Sequence, residues 1–162
     1  MGVINYNSAN LKDKSDAKIQ DYIMTSIHEL LHVLGVSASA FPKYIDTEGN
    51  IRKGHIVEFK SASGAVGNGL STPKLLEYAR TFYDCDSWDS IPLENDGGQG
   101  SLGSHLERAF FLNEVMTGSA IKDKVVSGFT WKMLEDSGWY GAVDEYLYEP
   151  FSVGKGSGCA WR

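Results

Sequence analysis

The chain has 162 residues, a length that suits one domain or a large fragment of one. Its hydrophobic content of 42% is enough for a real core, and 15 basic against 21 acidic residues give a net charge of −6. With no basic patch the composition excludes nucleic acid as an expected partner, and no apolar run approaches the length of a membrane span.

In chain order, Val3 to Tyr6 reads as a short strand and residues 7–14 as a polar loop. Met1 to Tyr6 has neither the basic start nor the long apolar stretch of a signal peptide. Ser15 or Asp16 can cap a helix running to about Leu34, with Gly35 as its left-handed stop. On a helical wheel, Ile19, Tyr22, Ile23, Ile27, Leu30, Leu31, Val33 and Leu34 form one broad apolar arc. That arc is expected to pack on the core and to aim the opposite face into a cleft.

His28 and His32, from the run His28-Glu29-Leu30-Leu31-His32, fall nearly opposite that arc. Residues four apart on a helix are neighbours, so two imidazoles at this spacing can bind one zinc ion. The glutamate between them is left to act as general base, the HExxH arrangement of zinc peptidases. Taken alone, the pattern also fits two surface histidines and a solvated acid on an ordinary helix.

Residues 37–70 are rich in Gly, Ser and Ala. They carry a weak hairpin signal: Tyr44-Ile45-Asp46 and His55 to Phe59 flank the turn-like Glu48-Gly49-Asn50. Ser71-Thr72-Pro73 starts a second helix that continues through Tyr83. Residues 95–104 hold four glycines in ten and must be loop. Phe110 to Met116 is apolar and expected to be buried. Ser127 to Asp136 reads as a short helix stopped at Ser137-Gly138, and the glycine-rich tail after Pro150 would owe its order to Cys159.

A catalytic zinc usually takes three protein ligands and keeps one open position. The compact extension of the helix motif would place a third histidine at position 38, where this chain has Ala38. Two histidines remain. His55 lies in an expected strand with nothing diagnostic around it and reads as a surface or edge residue. His105 lies in Gly103-Ser104-His105-Leu106-Glu107-Arg108, shortly before Asn113-Glu114-Val115-Met116-Thr117-Gly118. Glu107, Glu114 and Asp136 are candidate partners for the imidazoles, or plain structural carboxylates. Cys85 and Cys159 are too few and too far apart for a cysteine-rich zinc module; they form either one disulfide or two buried thiols.

These motifs, in this order, resemble the leishmanolysin family of metallopeptidases and its leishmanolysin-like members. The marks are His28 to Ser37, Cys85, Pro92 to Gly98, Gly103 to Glu107, Asn113 to Gly118, Leu134 to Tyr140, and Gly158-Cys159. The resemblance covers nearly the whole chain. It implies an α+β fold: the mainly helical lower part of a metzincin-type catalytic domain, with the active-site helix and little of the upper sheet. Within a partial catalytic domain over 1–162, it divides the chain into strand plus active-site helix (1–36), a family insertion (37–104), and a region of third ligand, Met-turn and C-terminal helix (105–162).

The resemblance also implies roles. His28, His32 and His105 would bind one Zn2+, Glu29 would be the catalytic base, Met116 would form the Met-turn beneath the metal, and Cys85 and Cys159 would pair. The implied activity is zinc metalloendopeptidase hydrolysis of peptide bonds in a protein or peptide substrate, with zinc-bound water activated by Glu29. The alternative is an inactive structural or binding subunit of a larger assembly. An extracellular or cell-surface setting follows, with membrane association only through parts outside this chain and the remainder of a longer or processed polypeptide as a possible partner. Leu106 departs from the family pattern, standing where relatives carry tryptophan. Relatives also have a sheet before the active-site helix, most of which this chain lacks, and a cysteine-rich region after it.

Overall fold

The computed structural model describes residues 2–96, 98, 101–119 and 121–161. Four helices and a small sheet make up the described fold, which is α+β. Helix α1 spans Asp16–Leu34. A hairpin follows, β1 (Ile56–Lys60) and β2 (Val66–Leu70), then α2 (Pro73–Tyr83) and the two-residue β3 (Ile91–Pro92). Helices α3 (Arg108–Phe111) and α4 (Gly128–Asp136) complete the core. The sheet order is β1-β2-β3, antiparallel throughout, with Ile56 opposite Leu70 and Leu70 opposite Ile91. No helix among the described residues is long and apolar enough to cross a membrane.

The ends of the helices follow local chemistry. Gly35 closes α1 at φ +134°, a conformation that disfavours a side chain, and an added Cβ there would meet the Trp139 ring at 2.8 Å. This is not the left-handed helical conformation expected of it. Thr72 and Pro73 open α2 as expected, but the cap comes from across the fold: Asp136 accepts the Lys74 and Leu75 amides at 3.2 and 2.8 Å. Ser127 Oγ caps α4 through Phe129 N.

Three expectations are corrected. Val3 to Tyr6 forms no strand among the described residues, and Val3 is 88% exposed. The turn at 48–50 exists, built on Asp46 Oδ1, which accepts the Glu48 and Asn50 amides; it closes only the single Ile45–Ile51 bridge. The actual hairpin pairs β1 with β2. The glycines of β2 concealed it, and close packing explains one of them: a Cβ at Gly69 would lie 2.7 Å from that of Ser90.

The third correction concerns α1. Its buried residues are Met24, His28 and Leu31. Ile19, Ile23, Leu30, Val33 and Leu34 of the expected core-facing arc are exposed, Leu30 by 48%. The helix therefore packs through its histidine side. On that side His28 is tied to the distant Val115 carbonyl at 2.7 Å.

The core lies between α2, α4 and the segment 105–116. Trp88, Tyr83, Phe111, Phe129, Met116 and Met133 are fully buried. Tyr83 stacks on Trp88 at 4.6 Å, and Phe129 meets Phe111 edge-on at 5.0 Å. Of the stretch Phe110 to Met116, Phe111, Val115 and Met116 are buried, while Leu112 is 45% exposed. The described residues of 95–104 carry turns and no strand or helix; Gly97, Gln99 and Gly100 lie outside the described residues. The tail is held at the end of α2 by backbone as well as sulfur: Gly156 N bonds Phe82 O, Gly158 N bonds Tyr83 O, and Cys85 is bridged to Cys159.

Candidate metal centre

His28 and His32 project from successive turns of α1. His105 reaches them from the far side of the 37–104 excursion. Its backbone is pinned on both sides: His105 O accepts Glu94 N at 2.8 Å, and Leu106 N donates to Met116 O at 2.9 Å. The return is local as well as topological. Ala38 N donates to Ser104 Oγ at 3.2 Å, so the chain comes back beside the position where a compact motif would carry its third histidine.

The three Nε2 atoms converge. His28 to His32 is 3.0 Å, His28 to His105 is 3.1 Å, and His32 to His105 is 3.1 Å. Every Nδ1 faces a backbone carbonyl: Val115 O at 2.7 Å for His28, Val36 O at 2.6 Å for His32, and Ser101 O at 3.0 Å for His105. A carbonyl oxygen only accepts, so each Nδ1 carries the proton and each Nε2 presents a bare lone pair. Three lone pairs at that spacing repel one another unless a cation lies among them. A zinc ion about 2.0–2.1 Å from each nitrogen in tetrahedral geometry needs N–N separations of about 3.3 Å, within a few tenths of an ångström of those present. The residues fit the ion. Among the described residues this is the one cluster of His, Cys, Asp or Glu with its ligand atoms close enough to hold a metal.

Burial reinforces the neutral form. His28 is 9% and His105 6% exposed. Burial lowers the His28 pKa to about 4, with the neighbouring His32, Lys124 and His105 adding to the effect and the bond to Val115 opposing it. His105 is lowered for the same first reason. Neutral imidazoles are the form that binds metal.

Glu29 is exposed and lies where two cavities meet the histidines. One, of about 590 Å³, is walled by α1 and residues 117–119 and 121–124 and includes His28, Glu29 and Lys124. The other, of about 770 Å³, lies between the N-terminal segment and α1 and includes Glu29 and His32. Met116 is fully buried, its amide held by Glu114 Oε2 at 2.6 Å.

The candidate carboxylates are not partners of the imidazoles. Glu114 is wholly buried and binds Ser127 Oγ at 2.8 Å and Thr130 Oγ1 at 2.6 Å, joining the Met116 turn to α4. Asp136 caps α2, and Glu107 caps α3 through Ala109 N. Backbone carbonyls take the place expected for them. His55 stands apart from the cluster; it is buried rather than a surface or edge residue, bonding Phe41 O at 2.7 Å and stacking on Tyr44. Cys85 and Cys159 form a disulfide with Cα atoms 5.1 Å apart, inside the usual range of about 4.4–6.8 Å. Lys124 and the three carbonyl acceptors carried no sequence signal, since any residue supplies a carbonyl and a lone lysine marks nothing.

Residues 1–161 match the family model described as leishmanolysin. Among curated proteins, the chain is 32% identical over 174 residues to the leishmanolysin-like peptidase of Drosophila pseudoobscura pseudoobscura, covering 89% of this chain and 25% of that one. It is 33% identical over 172 residues to the leishmanolysin-like peptidase of Caenorhabditis elegans, covering 86% and 26%. It is 30% identical over 164 residues to leishmanolysin of Leishmania chagasi, covering 99% and 25%. The chain thus spans about a quarter of the length of these relatives.

Proposed function

The chain belongs to the leishmanolysin family of metallopeptidases, and on that premise we propose that it is the metal-binding part of a zinc metalloendopeptidase. The observation that carries this reading is the set of three bare Nε2 atoms within 3.1 Å of one another, each fixed by an Nδ1 bond to a main-chain carbonyl.

His28, His32 and His105 are the proposed ligands of one Zn2+. Zinc held there supplies Lewis acidity, polarising the scissile carbonyl and lowering the pKa of a water molecule toward about 7. Glu29 follows His28 on α1 and lines both cavities, one with His28 and the other with His32. Glu29 is the proposed base, taking a proton from the attacking water and passing it to the leaving amine. Met116 is the proposed apolar floor of the site, and its burial supports that role. The carbonyls of Val115, Val36 and Ser101 fix the tautomers, the work often done by carboxylates elsewhere.

We read residues 1–36 as the N-terminal segment and active-site helix, 37–104 as the insertion between ligands, and 105–162 as the remainder of the lower part of a metzincin-type domain. The substrate is a protein or peptide chain. The disulfide favours an oxidising compartment, extracellular or cell-surface, with any membrane attachment through parts of the protein outside this chain. Metal analysis of the purified intact protein tests the reading: one zinc per chain is expected. A zinc-bearing protein that cleaves no peptide would instead favour an inactive structural subunit.

A further inference from the structure

We propose that Lys124 tunes the metal affinity of the histidine cluster: its ammonium is fixed behind His28, on the carbonyl that His28 itself uses, and opposes a dication at the three Nε2 atoms. The inference rests on the zinc reading above and concerns a residue that reading does not use.

Val115 O accepts two donors, His28 Nδ1 at 2.7 Å and Lys124 Nζ at 3.2 Å. Lys124 Nζ also donates to Thr117 O at 3.3 Å. Two carbonyls on the same turn therefore hold the charge in place, and the side chain is partly buried on the wall of the cavity that contains His28 and Glu29. A surface lysine would wave in solvent; this one is tethered.

Two consequences have the same sign. First, a unit positive charge near the cluster raises the energy of any cation in it. Lys124 Nζ and His28 Nδ1 meet on one carbonyl oxygen, that of Val115, which sets the ammonium beside the ligand ring. Second, an acceptor that strengthens the imidazole N–H bond makes the ring a better ligand. Sharing the Val115 carbonyl with an ammonium weakens that push on His28. Both effects loosen the hold on zinc, and both leave the bound ion more Lewis acidic. Burial lowers the Lys124 pKa, and the carboxylates of Glu114 and Glu29 oppose that lowering.

The test is zinc affinity, read on the intact protein by competition with a chromogenic chelator at fixed pH and salt. Lys124→Met should bind zinc about five- to tenfold tighter, the size expected of one charge acting on a dication across several ångströms in a water-like dielectric. Lys124→Arg, which keeps the charge, should stay near the parent value. A lysine that only anchors the 117–124 segment predicts the opposite, weaker binding on its loss, so equal or weaker affinity in the Met variant overturns the proposal. If Lys124→Met does not fold, Lys124→Gln keeps a hydrogen-bond donor while removing the charge and is judged by the same direction. Failure of the zinc reading looks different: the unsubstituted protein binds no zinc, or binds it as well after His105→Ala, and the tuning role falls with it.

Discussion

Ala38 and Ser104, 66 residues apart in sequence, are hydrogen-bonded: the Ala38 amide donates to Ser104 Oγ at 3.2 Å. The bond ties the end of the motif helix to the residue before His105. A long insertion thereby delivers a third imidazole to the place that a shorter chain would reach within one more turn. The cost of closing a long loop grows only slowly with its length, so such an excursion is tolerated when its ends are pinned.

His105→Ala should empty the site while leaving the fold intact. The side chain makes one hydrogen bond, to Ser101 O, and its backbone bonds to Glu94 and Leu106's to Met116 do not involve it. Zinc affinity should fall by more than the roughly 10–100-fold typical of losing an outer partner. Metal titration by calorimetry measures this, and unchanged affinity would remove His105 from the ligand set.

Glu29→Gln should keep zinc and lose cleavage. The carboxylate is exposed beside the cluster and is proposed as base, not ligand. General-base catalysis contributes about 10²–10⁴-fold, and kcat of the intact protein on a peptide substrate should drop by that order. A normal rate would assign the proton transfer to another group.

Acid should destabilise the metal-free protein through His28. Its folded pKa, about 4, lies below the ordinary 6.5 because the ring is buried. Between those values the unfolded chain binds the proton and the folded one does not. The contribution is therefore whole above about 6.5 and is lost as pH falls toward 4, and His105 acts in the same direction. Urea midpoints measured at pH 7 and pH 5 without metal should differ, with the lower midpoint at pH 5. The difference should shrink in His28→Gln.

Reduction of the Cys85–Cys159 bridge should lower stability by up to about 4 kcal/mol on the chain-entropy account, since it closes a loop with a sequence separation of 74. The histidine cluster should survive, because none of its hydrogen bonds runs through the tail. Denaturation with and without reductant gives the first number, and zinc content after reduction gives the second. Loss of zinc at a pH and temperature where the chain stays folded would link the tail to the site.

Sequence by itself determined what is local. The i, i+4 histidine pair, the glutamate between them, the end of the helix at Gly35 and the Pro73 start depend on residues within a few positions of one another, and they lie where they were read, although Gly35 ends the helix in a different conformation. That His105 joins the helix pair was implied only by the resemblance, and the residues alone left the two cysteines as either a disulfide or two thiols, because neither spacing nor composition says which distant residues meet. Tertiary structure decided the rest. The apolar arc of α1 suggested a core-facing side, yet the buried side is Met24, His28 and Leu31. Hydrophobic periodicity measures how a helix would partition if area alone mattered. Here the His28 N–H finds its main-chain acceptor on Val115, contributed by a segment far along the chain. A buried polar atom must be paired, and that pair holds the histidine side of the helix inward. Main-chain carbonyls are common to every residue, so which of them becomes an acceptor is settled only when the chain has folded around it.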